Sequence, residues 1–220
     1  AYHKSGIIEQ ETELDVYDIE DYIYYKNEER DIEINVYPAD NFKLNVLIDY
    51  KSDVLSNQFA VLDNIRDFTK EISICRTFVF MSELEPLLRM NLIKGGDLDN
   101  AIVIVDKDST QEEFDRLAKL FNKPGITVRE QGVLNNIKLQ FNNEPARHKL
   151  LDLLGDLSLT GFRFNAGIVA LKPGHYGNTE LAKIIRNHIL ENKKKKVKSS
   201  APEYNPDTAP MYDLQGVKSF

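Results

Sequence analysis

Leu150, Leu151, Leu153, Leu154 and Leu157 fall at positions that can bury a helix against a core, while His148, Asp152 and Asp156 recur every fourth residue and share one face. With Glu144-Pro145 leading in, the spacing predicts a helix over 147–160. A second is predicted over 179–191, carrying Leu181, Ile184, Ile185 and Ile189. Upstream the period changes. Asp31–Tyr37 and Phe42–Tyr50 read as strands, and Pro38-Ala39-Asp40-Asn41 between them supplies hairpin turn chemistry. Ala101–Val105 reads as a buried strand, and Asn136–Phe141 as a further strand. Ser82-Glu83-Leu84-Glu85 has the capping-box pattern and opens a helix that Gly95-Gly96 would close. Thr110–Phe121 predicts another helix, stopped by Asn122-Lys123-Pro124-Gly125. The expected class is α+β, a β-sheet packed by helices.

Residues 9–33 hold eleven acidic and two basic side chains, interleaved with Val16, Tyr17, Ile19, Tyr22, Ile23, Tyr24 and Tyr25. That mixture predicts strands with one solvated, acidic face. From Lys193 the composition changes to Lys193-Lys194-Lys195-Lys196-Val197-Lys198-Ser199-Ser200, then Pro202, Pro206 and Pro210. A flexible linker is expected over 193–211.

Charge narrows the function. A net charge of −7 over 220 residues gives no electrostatic reason to expect nucleic acid. No apolar run approaches a membrane span, and Ala1–Ile8 has no signal-peptide pattern, so a soluble, unexported, cytoplasmic chain without stable membrane insertion is expected. The one cysteine, Cys75, is expected to be a small buried filler.

An imidazole and a carboxylate one helical turn apart, His148 and Asp152, can reach one metal ion, and that donor pair suits Zn²⁺. The same spacing also fits an ordinary surface pair, and two ligands fall short of the three protein ligands that a catalytic zinc usually has. Asp156 is placed to orient another polar group, and His175, on the Gly-containing segment Lys172-Pro173-Gly174-His175, is a further candidate.

His148-Lys149-x-x-Asp152-x-x-Gly155-Asp156 together with Lys172-x-Gly174-His175-x-x-Asn178 resembles the C-terminal half of the UDP-3-O-acyl-N-acetylglucosamine deacetylases (LpxC), the zinc amidases of lipid A biosynthesis. Arg76-Thr77-Phe78-Val79-Phe80 and Gly95-Gly96-Asp97-Leu98-Asp99-Asn100-Ala101-Ile102-Val103 resemble two further blocks of that family, in the same order. The resemblance implies the second domain of a two-layer sandwich over 1–192. It places a βαβ insert at about 80–105, walling an acyl-chain passage, and an extra surface helix at about 109–122.

It also implies roles. His148 and Asp152 would be zinc ligands. Asp156 would hold His175 charged, as acid and oxyanion partner, and Thr77 would polarise the amide carbonyl. Phe78, Lys149, Lys172, Asp49 and Tyr50 would bind the UDP-linked acylated amino sugar. The family's Glu-His motif, which carries the general base and third ligand, has no counterpart here. The chain is therefore expected to be an incomplete fragment that folds without turnover and binds zinc weakly, the missing N-terminal half of the enzyme being its partner. Residues 209–218 are similar to the opening of a 3-hydroxyacyl-acyl-carrier-protein dehydratase (FabZ), which implies a fused dehydratase beginning at about 212–220. The alternative is a non-catalytic nucleotide-sugar or acyl-chain binding domain, or a scaffold attached to that dehydratase.

Overall fold

The computed structural model describes residues 2–6, 8, 11–90, 100–123, 125–128, 132–135 and 137–200. Its elements run α1 (Tyr2–Ser5), β1 (Val16–Asp18), β2 (Ile23–Asn27), β3 (Ile32–Tyr37), β4 (Lys43–Ile48), β5 (Gln58–Leu62), α2 (Phe68–Glu71), β6 (Thr77–Phe80), α3 (Met81–Arg89), β7 (Ala101–Ile104), α4 (Gln111–Leu120), α5 (Glu144–Leu157), β8 (Arg163–Asn165), β9 (Gly167–Leu171) and α6 (His175–Ser200). The class is α+β.

Five strands form a mixed sheet in the order β2-β3-β9-β4-β5, and α5 and α6 pack against it and each other. Period-two burial selects the inner face: Ile32, Ile34 and Val36 on β3, and Leu44, Val46 and Ile48 on β4, are buried. One register line runs Ile34, Ala170, Val46, Ala60, so small residues alternate with large ones. Ala146, Leu150, Leu153 and Leu157 of α5 and Leu181, Ile185 and Ile189 of α6 complete that core.

Pro38–Asn41 is not a hairpin turn. β9 lies between β3 and β4, antiparallel to the first and parallel to the second, so these residues cross over it. Pairing β3 directly with β4 would leave β9, whose Ile168 and Ala170 are fully buried, without an interior position. Gly167 is paired with Tyr37, whose ring lies over it. A Cβ added there would fall 2.1 Å from Tyr37 Cζ.

β6, α3 and β7 form the expected βαβ unit, with β6 and β7 parallel. Ser82 does not cap α3 as its sequence pattern suggests. It lies inside the helix, and its N–H and hydroxyl both donate to Asp106, so the cap comes from across the chain. The expected stop at Gly95-Gly96 lies outside the described residues. The extra helix α4 is more than a surface addition. Phe114 and Leu117 close a second core with Met81, Leu84, Val103, Ile126 and Leu134.

The strand expected over Asn136–Phe141 does not form among the described residues, which begin there at Ile137. Side chains take its backbone groups instead: Gln140 N–H donates to Glu144, and Lys138 C=O accepts from Arg76. The linker boundary moves too. Having no proline before Pro202, α6 continues through the lysine run to Ser200, and Lys193 pairs with Asp15 at 2.9 Å. Residues 201–220, including the dehydratase-like segment, lie outside the described residues. Among those described, no helix is long and apolar enough to cross a membrane.

Candidate active site

Helix α5 carries His148, Asp152 and Asp156 on one face, and the N-terminus of α6 brings His175 against them. His175 is therefore the first helical residue rather than part of the preceding loop. His148 is mostly buried. Burial pushes its pKa below the ordinary imidazole value, against the opposing pull of the Asp152 carboxylate, and so favours the neutral ring. Its Nδ1 meets the Cys75 carbonyl at 3.4 Å. A carbonyl only accepts, so Nδ1 carries the proton and the Nε2 lone pair faces Asp152 Oδ1, also 3.4 Å away. Two acceptors pointed at one another have room for a cation between them. Two tetrahedral zinc ligands at about 2.0–2.2 Å from the metal stand roughly 3.4 Å apart, so this pair fits two corners of such a site. Among the described residues, no group of three or more His, Cys, Asp or Glu side chains could hold a metal ion.

His175 donates from Nδ1 to Asp156 Oδ2 at 2.8 Å, and Asn178 Nδ2 donates to the same oxygen at 2.9 Å. The His175 side chain is 71 % exposed, and Nε2 lies 4.0 Å from Asp152 Oδ2. One ring nitrogen is thus fixed and the other is presented beside the candidate metal ligand. Asn178 is fully buried and anchors the carboxylate that holds the ring.

Next to this group lies a pocket of about 400 Å³ lined by Arg30, Asp31, Asp49, Tyr50, Lys51, Lys149, Lys172 and Gly174, among others. It collects Asp49, Tyr50, Lys149 and Lys172, and its four cations against two carboxylates leave a net positive lining suited to an anion. Lys149 joins pocket to site: it pairs with Asp152 Oδ2 at 3.0 Å and lies 5.7 Å from the centre of the Phe78 ring. Lys172, at a left-handed φ of 52°, bridges Asp31 at 2.6 Å and Asp49 at 3.2 Å. Backbone donation from Lys51 and the Lys172 ammonium hold Asp49 ionised, below the ordinary carboxylate range. Tyr50 meets Phe78 and Phe80 edge-on at 5.5 and 5.4 Å. Its phenol is pushed up to about 12, by burial first and the Asp152 charge second. Thr77 is exposed at the start of β6. Cys75 is buried, and burial raises its thiol to about 11, which agrees with an inert filler.

Sequence reasoning passed over the Arg76–Glu144 pair. Glu144 is 0 % exposed, and its carboxylate accepts from Arg76 N, Nε and Nη2 and from Gln140 N. The partners are 68 positions apart, beyond any local spacing rule. A further step of the four-residue stripe, back from His148 to Glu144, was the available signal.

The fold thus places a paired imidazole and carboxylate on one helix and a carboxylate-held imidazole beside them. The sequence matches the model of the UDP-3-O-acyl N-acetylglycosamine deacetylase family, LpxC, over residues 1–123 and 118–187, and the chain belongs to that family. It is 43% identical over 215 residues to the bifunctional enzyme LpxC/FabZ of Porphyromonas gingivalis, covering 98% of this chain and 46% of that protein. To the enzyme of the same name from Bacteroides thetaiotaomicron it is 40% identical over 215 residues, again 98% of this chain and 46% of the relative. The UDP-3-O-acyl-N-acetylglucosamine deacetylase of Chlamydia pneumoniae is 33% identical over 184 residues, 83% of this chain and 56% of that protein. The chain thus spans about half the length of these relatives.

Proposed function

We propose that this chain carries the acid and two-ligand half of a zinc-dependent deacetylase acting on a UDP-linked, 3-O-acylated N-acetylglucosamine. The observation that supports this best is the facing pair His148 Nε2 and Asp152 Oδ1, 3.4 Å apart, with the His175–Asp156 couple at its edge. His148 and Asp152 would hold the metal. Zinc bound there would supply Lewis acidity and lower the pKa of a bound water.

The chain's own groups do the rest. Asp156 and Asn178 fix the His175 ring so that Nε2 faces the reacting amide, where it stabilises the oxyanion and delivers a proton to the departing amine. Thr77 adds a hydroxyl donor toward the same carbonyl. Lys149 and Lys172 supply positive charge for the diphosphate, while Asp49 and Tyr50 engage the uracil. The general base and third ligand are assigned to the part of the relatives' length that this chain does not span. Residues 212–220 are read as the start of a fused dehydratase, in keeping with the names of the bifunctional relatives.

The test is deacetylation and metal analysis of the full-length protein. Stoichiometric zinc with acetate release from the UDP-linked substrate supports the reading. A folded, zinc-free protein that binds the nucleotide sugar without releasing acetate identifies a binding module instead.

A further inference from the structure

Both polar ends of the Cys75–Arg76 peptide are held by α5. Its N–H donates to Glu144 Oε1 at 3.0 Å, and its C=O accepts from His148 Nδ1 at 3.4 Å. In a trans peptide these two groups point in opposite directions. The unit therefore lies along the first turn of α5, between side chains at i and i+4 that share a face. Glu144 is fully buried, and the same Oε1 that accepts from this N–H also accepts from Arg76 Nε. An anion accepting from a peptide N–H draws electron density toward the carbonyl end, because linked hydrogen bonds polarise one another. The Cys75 carbonyl thereby becomes a stronger acceptor for His148 Nδ1–H. The other ring nitrogen is left as a lone pair aimed at Asp152.

We propose that Glu144 is a positioning residue that sets the tautomer of His148 through the Cys75–Arg76 peptide, so that Nε2 is presented to a divalent cation. The proposal deepens the metal-site reading above and rests on His148 as a ligand. Orientation of a ligating histidine by a partner on its other nitrogen typically governs 10–100-fold in metal affinity, roughly the effect expected here.

The experiment uses the 220-residue chain, metal-free, labelled with ¹⁵N at histidine, with His148 assigned through His148→Gln among His3, His148, His175 and His188. At a pH where the rings are neutral, wild type should show His148 as the Nδ1–H tautomer. Glu144→Gln keeps the shape but removes the charge. It should populate the Nε2–H tautomer and weaken binding of Zn²⁺ alone by about 10–100-fold. Arg76→Lys deletes guanidinium bonds to Glu144 but keeps the backbone N–H donation, so the wild-type tautomer should persist. A purely structural role for the ion pair would disturb both variants alike. If Glu144→Gln fails to fold, Glu144→Asp shortens the reach to the peptide and should give the same tautomer shift. A folded Glu144 variant with an unaltered Nδ1–H ring, or an equal shift in Arg76→Lys, overturns the proposal. Wild type that fails to bind Zn²⁺ counts against the metal reading alone, because the tautomer is measured without metal.

Discussion

Replacing Arg76 by Met leaves the Glu144 carboxylate in its buried position with two backbone donors, Arg76 N–H and Gln140 N–H, of its four hydrogen bonds. Breaking a buried ion pair by deleting one partner costs about 3–5 kcal/mol, and the surviving N–H donors place the expectation near the lower figure. The pH dependence follows from the same contacts. In wild type, burial pushes the Glu144 pKa up, but hydrogen bonds from the Arg76 side chain, the Arg76 N–H and the Gln140 N–H outweigh it, and the net shift is downward. A carboxyl whose folded pKa is depressed contributes stability above its unfolded value, and that contribution is lost as pH falls through the folded one.

Without the guanidinium its lowering contribution is lost while burial stays, so the folded pKa of Glu144 rises. Acidification then protonates the variant's carboxyl before the wild type's, which narrows the difference between the two. The stability gap between Arg76→Met and wild type, read by urea unfolding, should therefore be about 3 kcal/mol near pH 7 and narrow toward about pH 4.3. Arg76→Met/Glu144→Leu should recover most of the loss, since no unpaired charge remains. A gap under about 1 kcal/mol at neutral pH, or one that widens on acidification, refutes this account of the pair.

On the proposed reading, in the full-length protein His175→Ala should lower turnover about 10²–10⁴-fold with zinc content near stoichiometric, whereas His148→Ala should lose the metal with the activity; metal analysis beside steady-state rates checks both. Burial and the Asp152 charge disfavour the Tyr50 phenolate, so the difference between the ultraviolet titrations of wild type and Tyr50→Phe should be centred near pH 12. Gly167→Ala should cost about 1–3 kcal/mol from the clash with Tyr37, and Tyr37→Ala should relieve part of that, seen as non-additivity in urea unfolding.

The elements with unbroken periodicity were legible. Alternating Ile32, Ile34 and Val36, and the leucine-rich face of α5, each specify a buried face without outside help. Where the expected cap, strand and hairpin failed, a partner from elsewhere in the chain had intervened. Asp106 took over the start of α3, Arg76 and Glu144 consumed the hydrogen-bonding groups of 138–140, and β9 inserted between two strands that read as a hairpin. Ser82 and Asp106 stand 24 positions apart and Arg76 stands 62 from Lys138, too far for local patterning to register, whereas the Gln140–Glu144 contact spans only four. The candidate site was more legible, because His148, Asp152 and Asp156 share one helix and need only its pitch. Lys172 was harder: its sequence context says cation, but only the fold brings Asp31 and Asp49 onto it.

The same pitch explains how one helix serves two neighbours. Glu144, His148, Asp152 and Asp156 stand at successive four-residue steps of α5. At 3.6 residues per turn each such step advances about 40°, so the stripe winds round the helix by about 120° from end to end. At its start it faces the β6 side, where Glu144 is sealed against Arg76. At its end it faces α6, where Asp156 takes His175 and Asn178. Between them, His148 and Asp152 face each other at 3.4 Å, with one ring nitrogen committed to the Cys75 carbonyl and one carboxylate oxygen to Lys149. Each inner group thus has one donor or acceptor satisfied by protein and one left facing its neighbour. A stripe at every third residue would drift the opposite way, by about 60° a step, and would separate the two end groups by a half turn. The four-residue spacing is what lets one rigid element brace itself against β6, face His148 toward Asp152 and hold His175 of α6 at once.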